Sequence, residues 1–421
     1  MANPLYQFTP SHWTRTSIEC KSEEEAKPLI HTAKIIHASA KQTFEASGQS
    51  FHLGAFNLYL MAKRTSKWIL DKTGEETFSD MHVKIFLSNP RSKAILCEWI
   101  HLANKDAFVI SQFSLGSGGQ SKVLSGVSIH GATLAVLKNE NGQGYSLQEI
   151  KMLKSLRNSS HVIHLFDGNS EYLIEQYAPH CLFNLTKNPS KYSQFDTPER
   201  RYSITKGIIQ GLADIHAQGI IHSDMKLENI LLTEEGTALI ADFGLSVWAE
   251  PGMVHAGSLG YYSPEQIESV KSYVATKSLH KLSTQVDIWQ TMTALTRYHL
   301  PRLSPAYQDR FKEYQYEVEK IYDGAMTEAE KHASCAFPSD EEKVKMRKWT
   351  ELYSERLASY FNDKKSERSG LFSDLPRSSP LEKILNEMGQ FDPVNRPEAA
   401  DILKMLDRAT PEHFTASYSH P

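Results

Sequence analysis

The chain has 421 residues, 40% apolar and 23% charged, the balance of an ordinary soluble globular protein with room for two domains. A formal charge of −4 argues against nucleic acid or anionic membrane as an obligatory partner, and no apolar run approaches the length of a membrane span. Cys20, Cys97, Cys181 and Cys335 lie far apart with no paired ligand spacing, which points to buried or free thiols rather than a disulfide framework or a zinc site.

Residues 1–105 carry no nameable motif. Glu23–Phe44 is expected to be a helix, with Leu29, Ala33, Ile36 and Ala40 at helical spacing. Phe51–Trp68 is apolar and aromatic enough to be buried, and Val83–Leu87 and Ala94–Ile100 read as strands. A small packed extension is expected here in preference to a separate binding domain. From Phe108 the pattern changes to short strands, with a Gly-Ser-Gly-Gly run at 116–119 that by itself reads as a turn. Thr133–Lys138 reads as a strand. Tyr145–Arg157 reads as a helix with Leu147, Ile150, Leu153 and Leu156 on its apolar side and Glu149 within it. Thr197-Pro198 starts another helix, with the hydroxyl as cap and proline in the first turn. Its buried stripe is Ile208, Leu212 and Ile215, and Gly219 ends it.

The chemistry gathers in His222-Ser-Asp-Met-Lys-Leu-Glu-Asn229, followed thirteen residues on by Asp242-Phe-Gly244. Ile230–Leu232 and Thr237–Ile240 are apolar runs separated by Thr233-Glu-Glu-Gly236, the pattern of a β-hairpin. A hairpin holds the residues before its first strand and after its second at the same end, so Asp224, Lys226, Asn229 and Asp242 should converge. Two acids and an amide with a lysine beside them suit an oxygen-coordinated Mg²⁺ and a phosphate group.

These motifs resemble the catalytic core of a eukaryotic-type Ser/Thr protein kinase over roughly residues 108–408, with H-x-D-x-K-x-x-N and D-F-G in the family's order. The resemblance implies an α+β, two-lobed kinase-like fold. A small β-rich N-lobe would span 106–177 and a larger helical C-lobe 178–410, with an N-terminal extension at 1–105 and a tail at 411–421. It also implies ATP and Mg²⁺ as cofactors and a protein substrate with a Ser or Thr acceptor.

Residue by residue, Asp224 matches the catalytic base, and Lys226 the cation that neutralises the moving phosphoryl group. Asn229 and Asp242 match the metal ligands. Gly116 and Gly118 match the glycine-rich loop, Ser121 stands where its third glycine is usual, and Val123 follows. Lys138 matches the lysine that holds the ATP phosphates, with Val136 in place of the usual alanine two residues before it. Glu149 matches the acid that aims Lys138, with Glu140 a poor second choice; its bland reading is a solvated helix charge. Glu175 to Tyr177 match the hinge that binds adenine, and Leu231 belongs to the same ATP-binding set. His222, Phe243 and Gly244 match structural positions, with Leu153 joining His222 and Phe243 in a stacked apolar column. Ser258 matches the threonine of the substrate platform and Asp287 the anchor of the catalytic-loop backbone. Glu265 and Arg396 match a buried ion pair.

Two departures go together. Ser223 replaces the arginine that receives an activation-segment phosphate, and Val247–Ala256 contains no Ser, Thr or Tyr. A kinase that needs no phosphorylation there is the expectation. Residues 300–375 read as an inserted helical subdomain, with Phe311, Tyr314, Val318 and Ile321 at helical spacing and Trp349, Leu352, Leu357 and Tyr360 more loosely so. Beyond Thr410 no element is assigned. A pseudokinase acting as a nucleotide- or partner-binding module is one alternative, and a small-molecule kinase of related fold is the other. With no signal segment at Met1-Ala-Asn-Pro-Leu5, a cytoplasmic location is expected, and a secreted bacterial protein acting in a host cytosol fits equally.

Overall fold

A computed structural model describes residues 17–20, 57–64, 67–72, 81–88, 97–103, 106–117, 121–128, 133–139, 147–168, 172–250, 257–278, 280–333 and 341–415. Side-chain detail begins, apart from a few strand residues, at Leu147. The chain divides into two compact units, Met1–Ile150 with His164–Tyr177, and Lys151–Ile163 with Ala178–Pro421.

The first unit is built on two antiparallel sheets. One has the order β1-β4-β2-β3, from Ser17–Cys20 (β1), Asn57–Arg64 (β2), Lys67–Lys72 (β3) and Met81–Ser88 (β4). The other has the order β5-β6-β7-β8-β10-β9, from Cys97–Ala103 (β5), Asp106–Ser117 (β6), Ser121–Ser128 (β7), Thr133–Asn139 (β8), Leu165–Gly168 (β9) and Tyr172–Gln176 (β10). The strand expected at Ala94–Ile100 therefore begins three residues later, and it forms the edge of the six-stranded sheet. The helix expected at Glu23–Phe44 lies outside the described residues, as do Gly118, Glu140 and Cys335.

Helix α1, Leu147–Ser155, buries Ile150, Met152 and Leu153, with Leu156 just beyond it. Leu147 is a correction: it is 69% exposed, because the apolar stripe begins one turn later and the first helical residue has nothing to pack on. Glu149 is buried at 6% exposure, so it is not the solvated helix charge of its bland reading.

The second unit is mainly helical. Leu182–Lys187 (α2) precedes the long helix Pro198–Ala217 (α3), which Thr197 caps by accepting the Arg200 N–H. Ile204, Ile208, Leu212 and Ile215 are fully buried along it, and Gly219 leaves it with a φ of +69°. Ser263 and Gln266 form a capping box at the head of Pro264–Thr276 (α4). Gln285–His299 (α5) is buried almost all round, as a helix at the centre of a unit must be. Its Trp289 lies against the rings of Tyr314, Phe361 and Phe391 at 5.7–6.4 Å.

Pro305–Ala333 (α6) and Glu341–Glu367 (α7) are the helices expected in the 300–375 stretch. They run antiparallel and pack through aromatic rings, Tyr314 to Phe361 at 6.4 Å and Tyr322 to Trp349 at 5.6 Å. Phe311, Tyr314 and Val318 are buried, whereas Ile321 is only half-buried. Pro380–Met388 (α8) and Ala399–Leu406 (α9) complete the unit. Beyond Thr410, where the sequence assigns nothing, a 3₁₀ turn at Pro411–Phe414 buries Phe414 completely. Its ring meets Tyr202 and His299, and its carbonyl accepts from Arg201 Nε at 2.8 Å. A four-residue turn with one apolar anchor leaves no periodicity to read.

Candidate active site

Two strand pairings close the chemical loop on itself. Ile230–Leu232 (β13) pairs with Ala238–Ile240 (β14) in the register Ile230↔Ile240, through a turn in which Gly236 has a φ of +86°. The Ala241 N–H then bonds to the Asn229 carbonyl at 2.9 Å, which sets Asp242 one residue from Asn229 across the hairpin end. His180–Cys181 (β11) extends this sheet on the β13 side. Ile220–Ile221 (β12) pairs with Val247–Trp248 (β15), bringing His222 alongside Ser246, whose Oγ donates to the His222 carbonyl at 3.1 Å.

The loop between these pairings is held from below by α5. Asp287, wholly buried, accepts from the His222 N–H and the Ser223 N–H at 2.8 Å each and from His216 Nε2 at 3.0 Å. Gln290, one turn further on the same face, accepts from the Met225 N–H at 2.9 Å and donates to the Ser223 carbonyl at 2.7 Å. Sequence reasoning missed Gln290; its i, i+3 relation to Asp287 is the signal that could have found it. These bonds hold Ser223 in the left-handed region, φ +69°, and Asp242 stands there too at +65°. Among the described residues only Lys277 shares this conformation without being glycine. Strained backbone held by its surroundings is what functional loops accumulate.

Asp224 is 4% exposed. Its Oδ2 accepts from Lys226 Nζ at 2.6 Å and from Asn229 Nδ2 at 3.2 Å, whereas Oδ1 is buried without a hydrogen bond. A buried carboxylate oxygen left open is costly unless something else comes to it. Lys226 Nζ also donates to Ser258 Oγ at 2.8 Å. His222 packs edge-on to Phe243, ring centroids 4.9 Å apart. Its Nε2 faces the Ala241 carbonyl at 3.1 Å, while its Nδ1 accepts the Asp224 N–H at 3.3 Å. A carbonyl only accepts and an amide only donates, so the imidazole carries its proton on Nε2. Leu153, His222 and Phe243 are all buried.

The donor set fits a hard cation. Asp242 is exposed, and its Oδ1 takes one hydrogen bond, from the Gly244 N–H at 3.3 Å. Asn229 donates its amide N–H to the Asp224 carbonyl at 2.9 Å, which leaves its side-chain oxygen for a metal. No cluster of three or more His, Cys, Asp or Glu able to hold a metal occurs among the described residues.

Around this centre, the Tyr262 hydroxyl donates to the Gly257 carbonyl at 3.1 Å, and burial, with the Asp224 charge adding to it, pushes the phenol up to about 12. Arg396 donates to Glu265 at 2.6 and 2.9 Å and to the carbonyls of Gln285 and Gln390. Leu231 is half-buried on the face of β13 opposite to the fully buried Ile230 and Leu232. In the first unit, Gly116 pairs with Val123 across β6 and β7. Ser121 opens β7, and Val136 pairs with Leu124 on one side and Ile174 on the other. Lys138 lies near the end of β8, opposite Lys122 and Tyr172. Glu175 is buried and Tyr177 half-buried.

The profile of the protein kinase domain matches residues 110–406. The chain belongs to the protein kinase family. Its fold is the mixed α/β kinase fold that the sequence motifs imply. Among relatives, a probable serine/threonine-protein kinase of Encephalitozoon cuniculi is 32% identical over 42% of this chain and 32% of its own. The serine/threonine-protein kinase ICK of mouse is 28% identical over 69% of this chain and 43% of its own. The serine/threonine-protein kinase MAK of human is 28% identical over 69% and 44%. The chain thus spans less than half the length of each of these relatives. No helix among the described residues is long and apolar enough to cross a membrane.

Proposed function

We propose that this kinase transfers the γ-phosphoryl group of ATP to Ser or Thr hydroxyls of protein substrates. The observation that carries it is the buried Asp224 carboxylate, with Oδ2 bonded by Lys226 and Asn229 and Oδ1 left without a hydrogen-bond partner. Asp224 accepts the hydroxyl proton as the acceptor oxygen forms its bond to γ-phosphorus. The bond from γ-phosphorus to the bridging oxygen breaks, and ADP leaves with the electron pair. Lys226, between Asp224 and Ser258, faces the charge of the moving group. Asn229 and Asp242 would hold magnesium, which would supply charge neutralisation at the phosphate oxygens. In the first unit, Gly116, Gly118 and Ser121 take the role of phosphate-facing backbone, Lys138 that of the phosphate-binding cation and Glu149 that of its aiming acid. Val123, Val136 and the Glu175–Tyr177 backbone take adenine. Residues 106–177 and 178–410 serve as N-lobe and C-lobe, 300–375 as an insertion, 1–105 as an extension and 411–421 as a tail, in a protein of the cytoplasm.

Activity independent of activation-segment phosphorylation is part of the same proposal. Every hydroxyl that could take a phosphate near the segment already has a structural task. Ser246 donates to His222, Ser258 accepts from Lys226, Tyr261 accepts the Leu227 N–H at 3.4 Å, and Tyr262 donates to Gly257. Ser223, where the phosphate-receiving arginine is usual, is fully buried. The test is transfer of labelled γ-phosphate from Mg-ATP to a generic basic protein, followed by phosphoamino-acid analysis. Phosphoserine or phosphothreonine that disappears with Asp224→Asn is expected; ATP bound without transfer would leave only a nucleotide-binding role.

A further inference from the structure

The segment that follows Ser258 forms one wall of a pocket of about 240 Å³ whose other walls come from α5 and from the inserted helices α6 and α7. Leu259 and Gly260 contribute from the segment, Arg297 from α5, Tyr314 and Val318 from α6, and Tyr353 from α7. Ser258 is tied through Lys226 to Asp224, and two residues of chain reach at most about 7 Å, so the pocket opens within a few residues of where an acceptor hydroxyl must sit.

Its chemistry is specific. The Arg297 guanidinium lies 4.5 Å over the Tyr261 ring, is half-exposed, and has no carboxylate within ion-pair distance among the described residues; its Nε makes no hydrogen bond. Most arginines of this unit that lie beside a carboxylate are paired with it, as Arg201 and Arg302 are with Asp196, Arg310 with Asp374 and Arg396 with Glu265. The Tyr353 hydroxyl, in a side chain 2% exposed, also makes no hydrogen bond and lies beside the Gly260 backbone. Burial raises that phenol well above its ordinary range, so it stays protonated and able to donate. Gly260 has a φ of +76°, the left-handed backbone that glycine allows, and lies against the Arg297 guanidinium. The one acid lining the pocket, Glu319, is on an exposed position of α6 and outside ion-pair distance of Arg297. A half-buried cation and a buried donor above an aromatic floor make a receptor for a carboxylate.

We propose that this pocket selects protein substrates carrying an acidic side chain within about four residues of the acceptor, with Arg297 as the specificity-determining cation and Tyr353 as its hydrogen-bonding partner. The proposal rests on the kinase reading above and names its substrate class.

The test is a set of single-serine peptides in a neutral background, with Glu or Lys placed in turn at each of four positions on either side. Glu at one or two adjacent positions is expected to raise kcat/KM about fivefold to tenfold over alanine, the range of a partly exposed charge-assisted bond. Arg297→Glu should invert the preference to Lys at those same positions, a gain that misfolding cannot produce. Gln315→Trp, a half-exposed neighbour that fills the pocket, should flatten the scan. A scan already flat in the native protein, or a Glu preference that survives Arg297→Glu, would overturn the proposal. If no peptide is phosphorylated, the kinase reading fails instead. Titration of fluorescein-labelled Glu and Lys peptides then still reads the pocket, with tighter binding of the Glu peptide lost in Arg297→Glu as support and equal binding as refutation.

Discussion

The loop between β12 and β15 and the helix pair α6–α7 are held by opposite means. In the loop, geometry is fixed by polar groups on backbone atoms: Asp287 and Gln290 between them bond three N–H groups and one carbonyl within His222–Met225. In the helix pair it is fixed by rings, with Tyr322 of α6 lying 5.6 Å from Trp349 of α7 and Tyr353 lying 6.3 Å from Tyr262 of the segment that follows Ser258. Directional bonds place a carboxylate to within tenths of an ångström, whereas ring packing supplies bulk stability and tolerates adjustment. A site that depends on one open oxygen is built the first way, and the brace behind its substrate platform the second.

Substitutions separate the two. Asp224→Asn should lower transfer by about 10³-fold while leaving the melting temperature unchanged, because the isosteric amide keeps the packing. A parallel loss of stability would show that Asp224 is a fold residue. Arg396→Ala strands the Glu265 carboxylate and should cost about 3 kcal/mol, read as a fall of roughly 10 °C in thermal unfolding. An unchanged melting temperature would count against that pair. Tyr353→Ala removes a ring from between α7 and Tyr262 and should cost about 2–3 kcal/mol, raising KM for the peptide more than it lowers kcat. Equal effects on both would place the brace nearer the chemistry than the structure does.

The smallest effect is a pH dependence. His299 is fully buried beside Thr205, and burial first, then Arg302 and Arg201, hold it well below its ordinary value of 6.5. The unfolded chain binds a proton below pH 6.5 that the folded chain refuses, so stability falls as pH drops from there, by about 1.4 kcal/mol per pH unit from this group. His299→Gln should flatten that slope in urea midpoints measured between pH 6.5 and 5, and an unaltered slope would assign it elsewhere.

Much of the loop region was legible because its decisive relations are local. The hairpin, its glycine turn and the convergence of Asn229 with Asp242 follow from spacing within some twenty residues. What stayed hidden depends on distant partners. Gln290 reaches Met225 across 65 residues, marked only by its place one turn after Asp287, and Phe414 meets Arg201 across 213 with no local pattern to mark it. The helical character of 300–375 was readable from periodicity; that its Tyr314, Val318 and Tyr353 would close a pocket against Leu259 was not, since it requires three elements at once. Leu147 failed for a simpler reason, an apolar residue at helical spacing but one turn beyond the surface that the helix covers.

The most direct test of a site held ready by its own contacts is the initial rate of phosphate transfer by protein that phosphatase has stripped and mass spectrometry has shown to be unmodified. The rate should equal that of the untreated protein from the first turnovers, with no lag. A lag that ends as phosphate accumulates on Ser246, Ser258, Tyr261 or Tyr262 would contradict it.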